Sequence, residues 1–544
     1  MNKPSSLQQR GLPAQQLDFS RRLFMRHASA MGALAGAGAP LALNLLAAGT
    51  AVAQTAGDYK ALVCIFLFGG NDAYNMVLST DGANGAAAAT ASSSWDAYVA
   101  TRNQAPDSIA LLAPGVAALG SAAVGSPARL GGVLPISPLT TTGANAGRSF
   151  ALHPVMGSLR TMFDTDRRLA ILPNIGPLIA PTTKTQYGQR SHPKPASLFS
   201  HNDQQNTWQA LAPEGATRGW GGRMGDIVAS MNTRSVFTSV SASGNAIWLA
   251  GQNVQQYQVG TGGAIRLGAD NNGNVYGSAS VAAALNRVVR GGRSSNVFEG
   301  DLAAVSGRSI DAESTLRTAL TAASDPLFGT APASGSYNAN NDPKLQYDNP
   351  LTGAKAANNL AQQLQVVARM IQAGMNGATG ARRQVFFVSM GGFDTHDLQN
   401  RNQADLMARL SHAMNYFDTT LGGLNARNAV TTFTASDFGR TFTSNGDGTD
   451  HGWGSHHFVM GGAVKGGDLY GTFPQLARKN SNNNNFDGSP NQLGNGALLP
   501  TTSVDQLGAT LGRWFGLSDT QIADIFPNLA GFNLIERNLG FMNA

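Results

Sequence analysis

Continuous apolar runs alternate along the chain with segments in which apolar residues recur every three or four positions. The runs predict buried strands, because a strand that is covered on both faces shows little polar alternation. The recurring positions predict helices with one face on a core. Strands are predicted over residues 61–68, 169–175, 385–390, 430–435 and 458–462, and helices over 153–168, 360–371 and 406–421. Buried strands separated by helices indicate an α/β fold with a mostly parallel sheet.

The middle of the chain is less regular. Short β-like runs occur at 236–240 and 246–250, and a mixed segment follows them to residue 350. We interpret 236–350 as an insertion or cap on the α/β domain. Stretches rich in Gly, Asn, Ser and Thr predict loops at 139–147, 329–342 and 479–497.

The N-terminal segment has the pattern of an export signal. Arg21 and Arg22 precede a small-residue apolar run over 28–48, and an Ala-Val-Ala sequence follows at 51–53. These features together indicate a cleaved twin-arginine signal over residues 1–53. The alternative is a transmembrane anchor, but the run is rich in Gly and Ala and is therefore weakly hydrophobic. The expected partner is the twin-arginine export machinery, and the expected location is periplasmic or secreted.

Composition limits the functions of the exported chain, which we expect to form a single domain over 54–544. The 544 residues carry a formal net charge of +6; removing the five basic residues and one acidic residue of 1–53 leaves 33 basic and 31 acidic residues, or +2. A nearly neutral chain predicts no nucleic-acid partner. No later apolar run reaches about 18 residues, which predicts no membrane contact after cleavage. The single cysteine, Cys64, excludes an internal disulfide and a cysteine-based metal site.

Carboxylates and imidazoles gather just beyond the predicted strands. These residues are Asp72, Asp394, His396, Asp437, Asp450, His451, His456 and His457, and Arg440 follows Asp437 in the same loop. We expect them to meet, because ligands of open α/β sheets lie beyond the carboxyl ends of the strands. Carboxylate oxygens and neutral imidazole nitrogens bind zinc, manganese and iron. The alternative is structural, with Asp394 as a helix N-cap and Asp437 in a turn that pairs with Arg440.

A second cluster lies at residues 200–203, with the sequence Ser-His-Asn-Asp. Ser200 is a candidate nucleophile, but these residues are too close in sequence to form a triad, whose members converge from separate loops. His201 and Asp203 are candidate site or metal residues. The alternative is a capped junction between a loop and a helix.

Several of these stretches match a known family. They are 66–75 (FLFGGNDAYN), 200–208, 391–396 (GGFDTH), 434–440 (TASDFGR), 450–465 (DHGWGSHHFVMGGAVK) and 500–532. Over most of residues 58–535 the chain resembles the exported bacterial DUF1501 family, which is similar to a distant branch of the alkaline phosphatase and sulfatase superfamily. The resemblance implies a three-layer α/β/α sandwich, alkaline phosphatase-like, with loop-rich insertions. It also implies metals at the strand ends.

The resemblance implies roles for individual residues. Asp72 matches the first metal ligand, Asp394 and His396 match a later pair, Asp437 matches the acidic member of an Asp-His dipeptide, and His451 or His456 matches the last ligand. Ser200 matches the hydroxyl nucleophile. The implied cofactor is one or two divalent ions, zinc or manganese. Phe438 stands where the superfamily has the histidine of the dipeptide, which leaves a two-metal site, a one-metal site and an inactive descendant open.

The expected function is metal-dependent hydrolysis of phosphate or sulfate esters. The substrate would be a small ester, attacked by Ser200 or by a metal-bound hydroxide, with Arg440 or His457 steadying the developing charge. The alternative is a catalytically inactive secreted protein that keeps the fold for binding or assembly with an unknown protein partner.

Overall fold

The computed structural model describes residues 59–83, 94–140, 142–265, 269–270, 273–291 and 296–543. The predicted export signal at 1–53 lies outside these residues. The residues from Tyr59 onward pack as one compact unit. Within the described ranges, no helix is both long enough and apolar enough to cross a membrane.

Sixteen strands occur in the described residues. They are β1 Lys60–Leu67, β2 Val77–Ser79, β3 Leu134–Ile136, β4 Phe150–Leu152, β5 Leu169–Gly176, β6 Ser239–Ser241, β7 Tyr257–Gly260, β8 Gly263–Ala264, β9 Gln346–Asp348, β10 Lys355–Ala357, β11 Arg383–Met390, β12 Val430–Ser436, β13 Arg440–Ser444, β14 Thr449–His451, β15 Ser455–Met460 and β16 Thr502–Ser503.

Twelve α-helices accompany the strands in the same described ranges. They are α1 Ser94–Arg102, α2 Pro127–Leu130, α3 Gly157–Asp164, α4 Lys184–Gly188, α5 His201–Ala210, α6 Trp220–Val228, α7 Ala279–Gly291, α8 Val297–Ala319, α9 Asn359–Met375, α10 Gln399–Gly423, α11 Val504–Phe515 and α12 Asp519–Ile525.

Nine strands form the central sheet, in the order β16-β5-β15-β12-β1-β11-β6-β7-β8. Strands β12, β1, β11, β6 and β7 are mutually parallel, as are β16 and β5. Strand β15 runs antiparallel to both of its neighbours, and β8 runs antiparallel to β7. The mostly parallel sheet expected from the sequence is therefore confirmed.

The packing of strand β1 explains why every position after Lys60 is apolar. Ala61, Val63, Ile65 and Leu67 point into a core that also contains the buried faces of α9 and α10. The intervening residues, among them Cys64, point into a second core that contains α6 and α11. Because both faces of the sheet are covered by helices, a central strand has no solvent-facing position to fill with polar residues.

The two predicted helices are also confirmed. The apolar positions from Leu360 to Ile371 lie on α9, and those from Leu406 to Leu421 lie on α10. All of these apolar positions except Leu406 are under 3% exposed. Two expectations differ from the structure. The helix predicted over 153–168 is the shorter α3, Gly157–Asp164. Pro154 disfavours helical geometry at His153, and Arg167 has a left-handed φ of +55°, through which a helix does not continue. The β-like run at 246–250 is instead a short 3₁₀ turn, Ile247–Leu249.

The segment 236–350, interpreted from the sequence as an insertion or cap, has two parts. Its first part supplies β6, β7 and β8, which extend one edge of the central sheet. Its second part begins with α7 and α8, which pack against each other.

Candidate metal centre

The topology brings several loops to one edge of the sheet. Strands β1, β11 and β12 are parallel neighbours, so their carboxyl ends, at Leu67, Met390 and Ser436, lie side by side. The segments that leave these strands carry Asp394 and Asp437. Helix α5 begins at the same place, because its first residue contacts both aspartates.

Three side chains at this edge form a group that can hold a metal ion. One ligand atom from each of His201, Asp394 and His451 lies within 4.8 Å of the other two. The Nε2 atom of His201 is 3.5 Å from Oδ2 of Asp394, and Nε2 of His451 is 3.3 Å from Oδ1. These separations suit a single small cation bound between two imidazoles and one carboxylate.

A third imidazole touches the group. The Nε2 atom of His396 lies 3.0 Å from Oδ1 of Asp394 and 3.1 Å from Nε2 of His451. Its Nδ1 atom lies 3.5 Å from Oδ1 of Asp450. Three histidines thus direct Nε2 towards one carboxylate, which is 41% exposed and open to solvent.

Hydrogen bonds at Nδ1 fix the ring orientations of the two histidines of the group. Nδ1 of His451 donates a hydrogen bond to the carbonyl oxygen of Phe199 at 2.7 Å, so in the neutral ring Nε2 is the atom that carries the lone pair. Nδ1 of His201 is 2.7 Å from Oδ2 of Asp437. A carboxylate in this position fixes the ring and increases its basicity as a metal ligand.

Asp437 is itself held firmly. Its Oδ2 also accepts hydrogen bonds from the backbone N–H of Gly69 at 3.1 Å and from the side-chain amide of Gln205 at 2.8 Å. Gln205 lies four residues after His201, so both side chains project from the same face of α5. Asp437 is fully buried, and its Oδ1 has no hydrogen-bond partner among the described residues. Asp437 is therefore a buried, fixed partner that orients the ring of His201 through Nδ1.

Arg440 holds Asp394 in place. Its Nη1 donates to Oδ1 of Asp394 at 2.6 Å and to the carbonyl oxygen of Gly69 at 3.2 Å. Nε donates to the Thr449 hydroxyl at 3.2 Å, and Nη2 donates to the Thr449 carbonyl oxygen. The guanidinium is buried and most of its donors are used, so Arg440 serves to position Asp394 and leaves little for a substrate oxyanion.

The loop after β1 passes so close to the backbone of Asp394 that residue 69 must be glycine. Gly69 has φ of +115°, and a Cβ atom there would lie 2.4 Å from the backbone nitrogen of Asp394. Any side chain would therefore push the loop away from the carboxylate.

The protonation of the group suits metal binding. Burial alone would raise the pKa of Asp394, but the hydrogen bond and charge of Arg440, with smaller effects of His396 and His201, lower that pKa overall. Burial lowers the pKa of His451. The hydrogen bond to Asp437 raises the pKa of His201 in the metal-free protein. A negative carboxylate and a neutral His451 are therefore present at neutral pH.

The structure does not bring Asp72 into this group. Both of its carboxylate oxygens bind the guanidinium of Arg102, Oδ2 at 2.6 Å from Nη1 and Oδ1 at 3.0 Å from Nη2. Tyr74 N–H and the Gln399 side-chain amide add further hydrogen bonds to the same carboxylate. Both charged groups are fully buried. Asp72, predicted as the first metal ligand, is instead half of a buried ion pair.

His456 and His457 also lie elsewhere. Both belong to β15, are buried, and have their pKa lowered to about 3 by burial. Nδ1 of His456 accepts a hydrogen bond from the backbone N–H of Asn174 at 3.0 Å. His457 contacts the Thr434 hydroxyl and the edge of Trp208. Of the two candidates for the last ligand, the structure places His451 at the group. His457, predicted to steady developing charge, is fully buried and has no access to solvent.

Ser200 is the residue immediately before α5, next to His201. It is partly buried, and its hydroxyl does not cap the helix. Its candidacy as a nucleophile stays a prediction. The sequence did not point to Gln205 or to the Phe199 carbonyl, and no spacing pattern connects either of them with residues 437 or 451.

The fold and this group define an α/β protein with a candidate metal site at the carboxyl edge of its sheet. A family model described as "Protein of unknown function (DUF1501)" matches residues 334–526. The resemblance drawn from the motifs is thereby confirmed for a segment that includes Asp394, Asp437 and His451. Comparison with curated proteins gave no match.

Proposed function

We propose that the protein is a metal-dependent hydrolase of phosphate or sulfate esters, with the alkaline phosphatase-like architecture that its motifs imply. The proposal includes export by the twin-arginine pathway to the periplasm or beyond. The observation that carries it is the group of His201, Asp394 and His451, whose ligand atoms lie within 4.8 Å of one another at the carboxyl edge of the sheet.

The donor set fits one divalent ion. Two imidazoles and one carboxylate are a ligand set of catalytic zinc sites, which keep a further position open. The ring of Phe438 lies 4.7 Å from the rings of both His201 and His451. Because this apolar ring fills the side on which the superfamily has a histidine, the geometry supports one ion rather than two.

A bound zinc or manganese ion would supply Lewis acidity to an ester oxygen and favour attack on the phosphorus or sulfur atom. The chain's own residues would prepare this chemistry. Asp437 orients His201, the Phe199 carbonyl orients His451, and Arg440 keeps Asp394 ionised and aimed at the ligand position. Ser200 is the candidate nucleophile, because it adjoins His201 at the start of α5.

Turnover of an aryl phosphate and an aryl sulfate, measured with added zinc or manganese, tests the proposal. We expect activity in the purified protein and its loss in His451→Ala, because this change removes a ligand. His192→Ala is the matched control, since the side chain of His192 is hydrogen-bonded to the Thr182 hydroxyl and lies outside the group, so turnover should be unchanged. Ser200→Ala should abolish turnover while metal still binds.

One result would separate the hydrolase from its alternative. If the wild-type protein binds one ion per chain but turns over neither ester, the hydrolase proposal fails and the non-catalytic binding or assembly protein is favoured. If neither ion binds the folded protein, the metal centre fails as well.

A further inference from the structure

A second cavity lies at the edge of the central sheet opposite the metal centre. Arg167 and Arg168 immediately precede β5, Arg427 lies shortly before β12, and residues 462–466 follow β15. Strand β15 lies between β5 and β12 and runs antiparallel to both, so these segments meet at one edge. Asp437 follows the other end of β12, a strand of seven residues that spans about 23 Å. We call this space the amino-edge cavity.

The amino-edge cavity is large and mostly cationic. Its volume is about 710 Å³, which is within the range of small-molecule sites. Among its described lining residues, the only carboxylate is that of Asp166, and the cationic side chains are Arg167, Arg168, Arg427 and Lys465. Four positive charges beside one negative charge attract anions.

Two of the arginines are fixed by one buried carboxylate, that of Asp418 on α10. Nε of Arg168 lies 3.1 Å from Oδ1 of Asp418, and Nη2 lies 2.9 Å from Oδ2. Arg427 binds the same two oxygens, at 3.1 Å each. Arg168 also pairs with Asp166 at 2.9 Å. The Nη1 atoms of both arginines bind no acceptor within the described part of the chain, so these donors remain available.

Arg167 and Lys465 supply the charge that is not balanced. Nη1 of Arg167 donates to the carbonyl oxygens of Ser137 at 3.2 Å and Gly467 at 3.5 Å. Its Nε and Nη2 atoms bind no acceptor in the described ranges, and neither does the ammonium group of Lys465. Because neither cation forms an ion pair with a described residue, both can bind an anion from outside the chain.

Glycines leave the space in which two of the guanidinium groups lie. A Cβ atom at Gly422 would lie 2.4 Å from Cζ of Arg427, and one at Gly467 would lie 2.5 Å from Cδ of Arg167. A larger residue at either position would displace the arginine beside it. The local backbone is therefore matched to the arginine side chains of the cavity.

We propose that the amino-edge cavity is a binding site for a phosphate or sulfate group, either as the free ion or on a small molecule. Guanidinium groups bind such oxyanions through two parallel hydrogen bonds, and a lysine ammonium adds a point charge. The cavity is much larger than one phosphate ion, so it has room for the rest of a ligand that carries the group. The site is separate from the metal centre, and the proposal does not depend on ester hydrolysis.

Calorimetric titration of the full chain, in the presence of a chelator, tests the proposal. The probes are inorganic phosphate, inorganic sulfate, glycerol phosphate and acetate. We expect phosphate and sulfate to bind with one ion per chain, and acetate to bind at least about tenfold more weakly, because it has one charge and two oxygens. Tighter binding of glycerol phosphate than of inorganic phosphate would assign the cavity to a phosphate ester, and the reverse order would assign it to the free ion.

Variants locate the binding to the cavity. Arg167→Ala and Lys465→Ala should each raise the phosphate dissociation constant by about tenfold, whereas Lys465→Arg should keep it near the wild-type value. Lys355→Ala is the matched control, because it removes the same charge from an exposed position outside the cavity. Circular dichroism of each variant should match that of the wild type, since Lys465 is exposed and Arg167 is only partly buried.

Three results would overturn the proposal. The first is a folded wild-type protein that shows no saturable binding of phosphate or sulfate. The second is an unchanged phosphate dissociation constant in the double variant R167A/K465A. The third is loss of phosphate binding in H201A/H451A, which would assign the anion to the metal centre instead; retention of binding in that variant supports the amino-edge cavity.

Discussion

Two aspartates follow neighbouring strands of the central sheet, and each binds an arginine. Asp72, after β1, forms a bidentate pair with Arg102, and both side chains are fully buried. Asp394, after β11, accepts one hydrogen bond from the buried Arg440 and is 41% exposed. Three imidazole nitrogens surround Asp394, whereas hydrogen-bond donors from arginine, amide and backbone groups surround Asp72.

The comparison shows what makes a carboxylate available to a metal. An ionised carboxylate has about four lone-pair directions. Arg102, Tyr74 and Gln399 occupy those of Asp72, so the charge is already neutralised and enclosed. Arg440 binds only Oδ1 of Asp394, so the other oxygen and the solvent-facing directions remain open. The surrounding donors, rather than the position after a strand, decide between a structural ion pair and a ligand.

The largest expected effect is on stability, from removing the arginine of the enclosed pair. Arg102→Met leaves Asp72 buried without its counter-ion, and we expect the free energy of unfolding in urea to fall by about 3–5 kcal/mol. Arg440→Met should cost less, about 1–3 kcal/mol, because Asp394 can be hydrated when its partner is lost. Equal losses in the two variants would contradict the contrast between an enclosed and an open carboxylate.

Zinc affinity, in contrast to stability, should depend on the exposed carboxylate of Asp394. Asp394→Asn removes a charged ligand, so we expect zinc affinity, measured by calorimetry, to fall by more than about 100-fold. Loss of a residue that only hydrogen-bonds to a ligand usually lowers metal affinity by about 10- to 100-fold. Asp397→Asn is the matched control, because Asp397 is an exposed neighbour outside the group. Unchanged affinity in Asp394→Asn would remove Asp394 from the site.

Changing Asp437, which is hydrogen-bonded to Nδ1 of His201, should have an intermediate effect on zinc affinity. Asp437→Asn keeps a hydrogen-bond acceptor for Nδ1 of His201 but removes the negative charge, so zinc affinity should fall by about 10- to 100-fold. If Asp437→Asn instead lowers only the melting temperature and leaves the zinc dissociation constant unchanged, Asp437 is part of the core and does not position the ligand.

The smallest expected effect is a pH dependence of the metal-free protein. The hydrogen bond to Asp437 raises the pKa of His201 above its ordinary value of 6.5. Protonated His201 therefore stabilises the fold below pH 6.5, and this contribution is lost as the pH rises through the raised pKa. In the presence of a chelator, melting temperatures of wild type and His201→Gln should differ most at low pH within this range and converge above it. A constant difference at every pH would contradict the assignment.

The central strands could be predicted from the sequence because helices cover both faces of the sheet. Strand β1 has apolar residues at every position from Ala61 to Leu67, and β11 has an apolar run at 385–388. Strand β12 is buried along its length but carries polar residues at Thr431, Thr432, Thr434 and Ser436. The short strands β6 and β7 gave no comparable signal. Strand β15 was predicted to begin at residue 458, but it begins at Ser455, which places His456 and His457 inside the buried strand and not in the loop before it.

The metal centre could be predicted only in part. Asp394 and His451 were recognisable because they lie near strand ends, where the sheet gathers loops. The ion pair of Asp72 could not be predicted. Its partner Arg102 lies on α1, and nothing in the spacing of 30 residues indicates that the two side chains meet. His201 stood among the candidates, but its pairing with Asp437 spans 236 residues and depends on how α5 packs over β12.

The count of metal ions per chain tests the central claim most directly. The purified wild-type protein is loaded with zinc or manganese, dialysed and analysed for metal, alongside Asp394→Asn, the double variant H201A/H451A and the control His192→Ala. The account predicts one ion per chain in the wild type and the control, and none in the other two variants. A folded wild-type protein without bound metal, or full retention of metal by H201A/H451A, would contradict it.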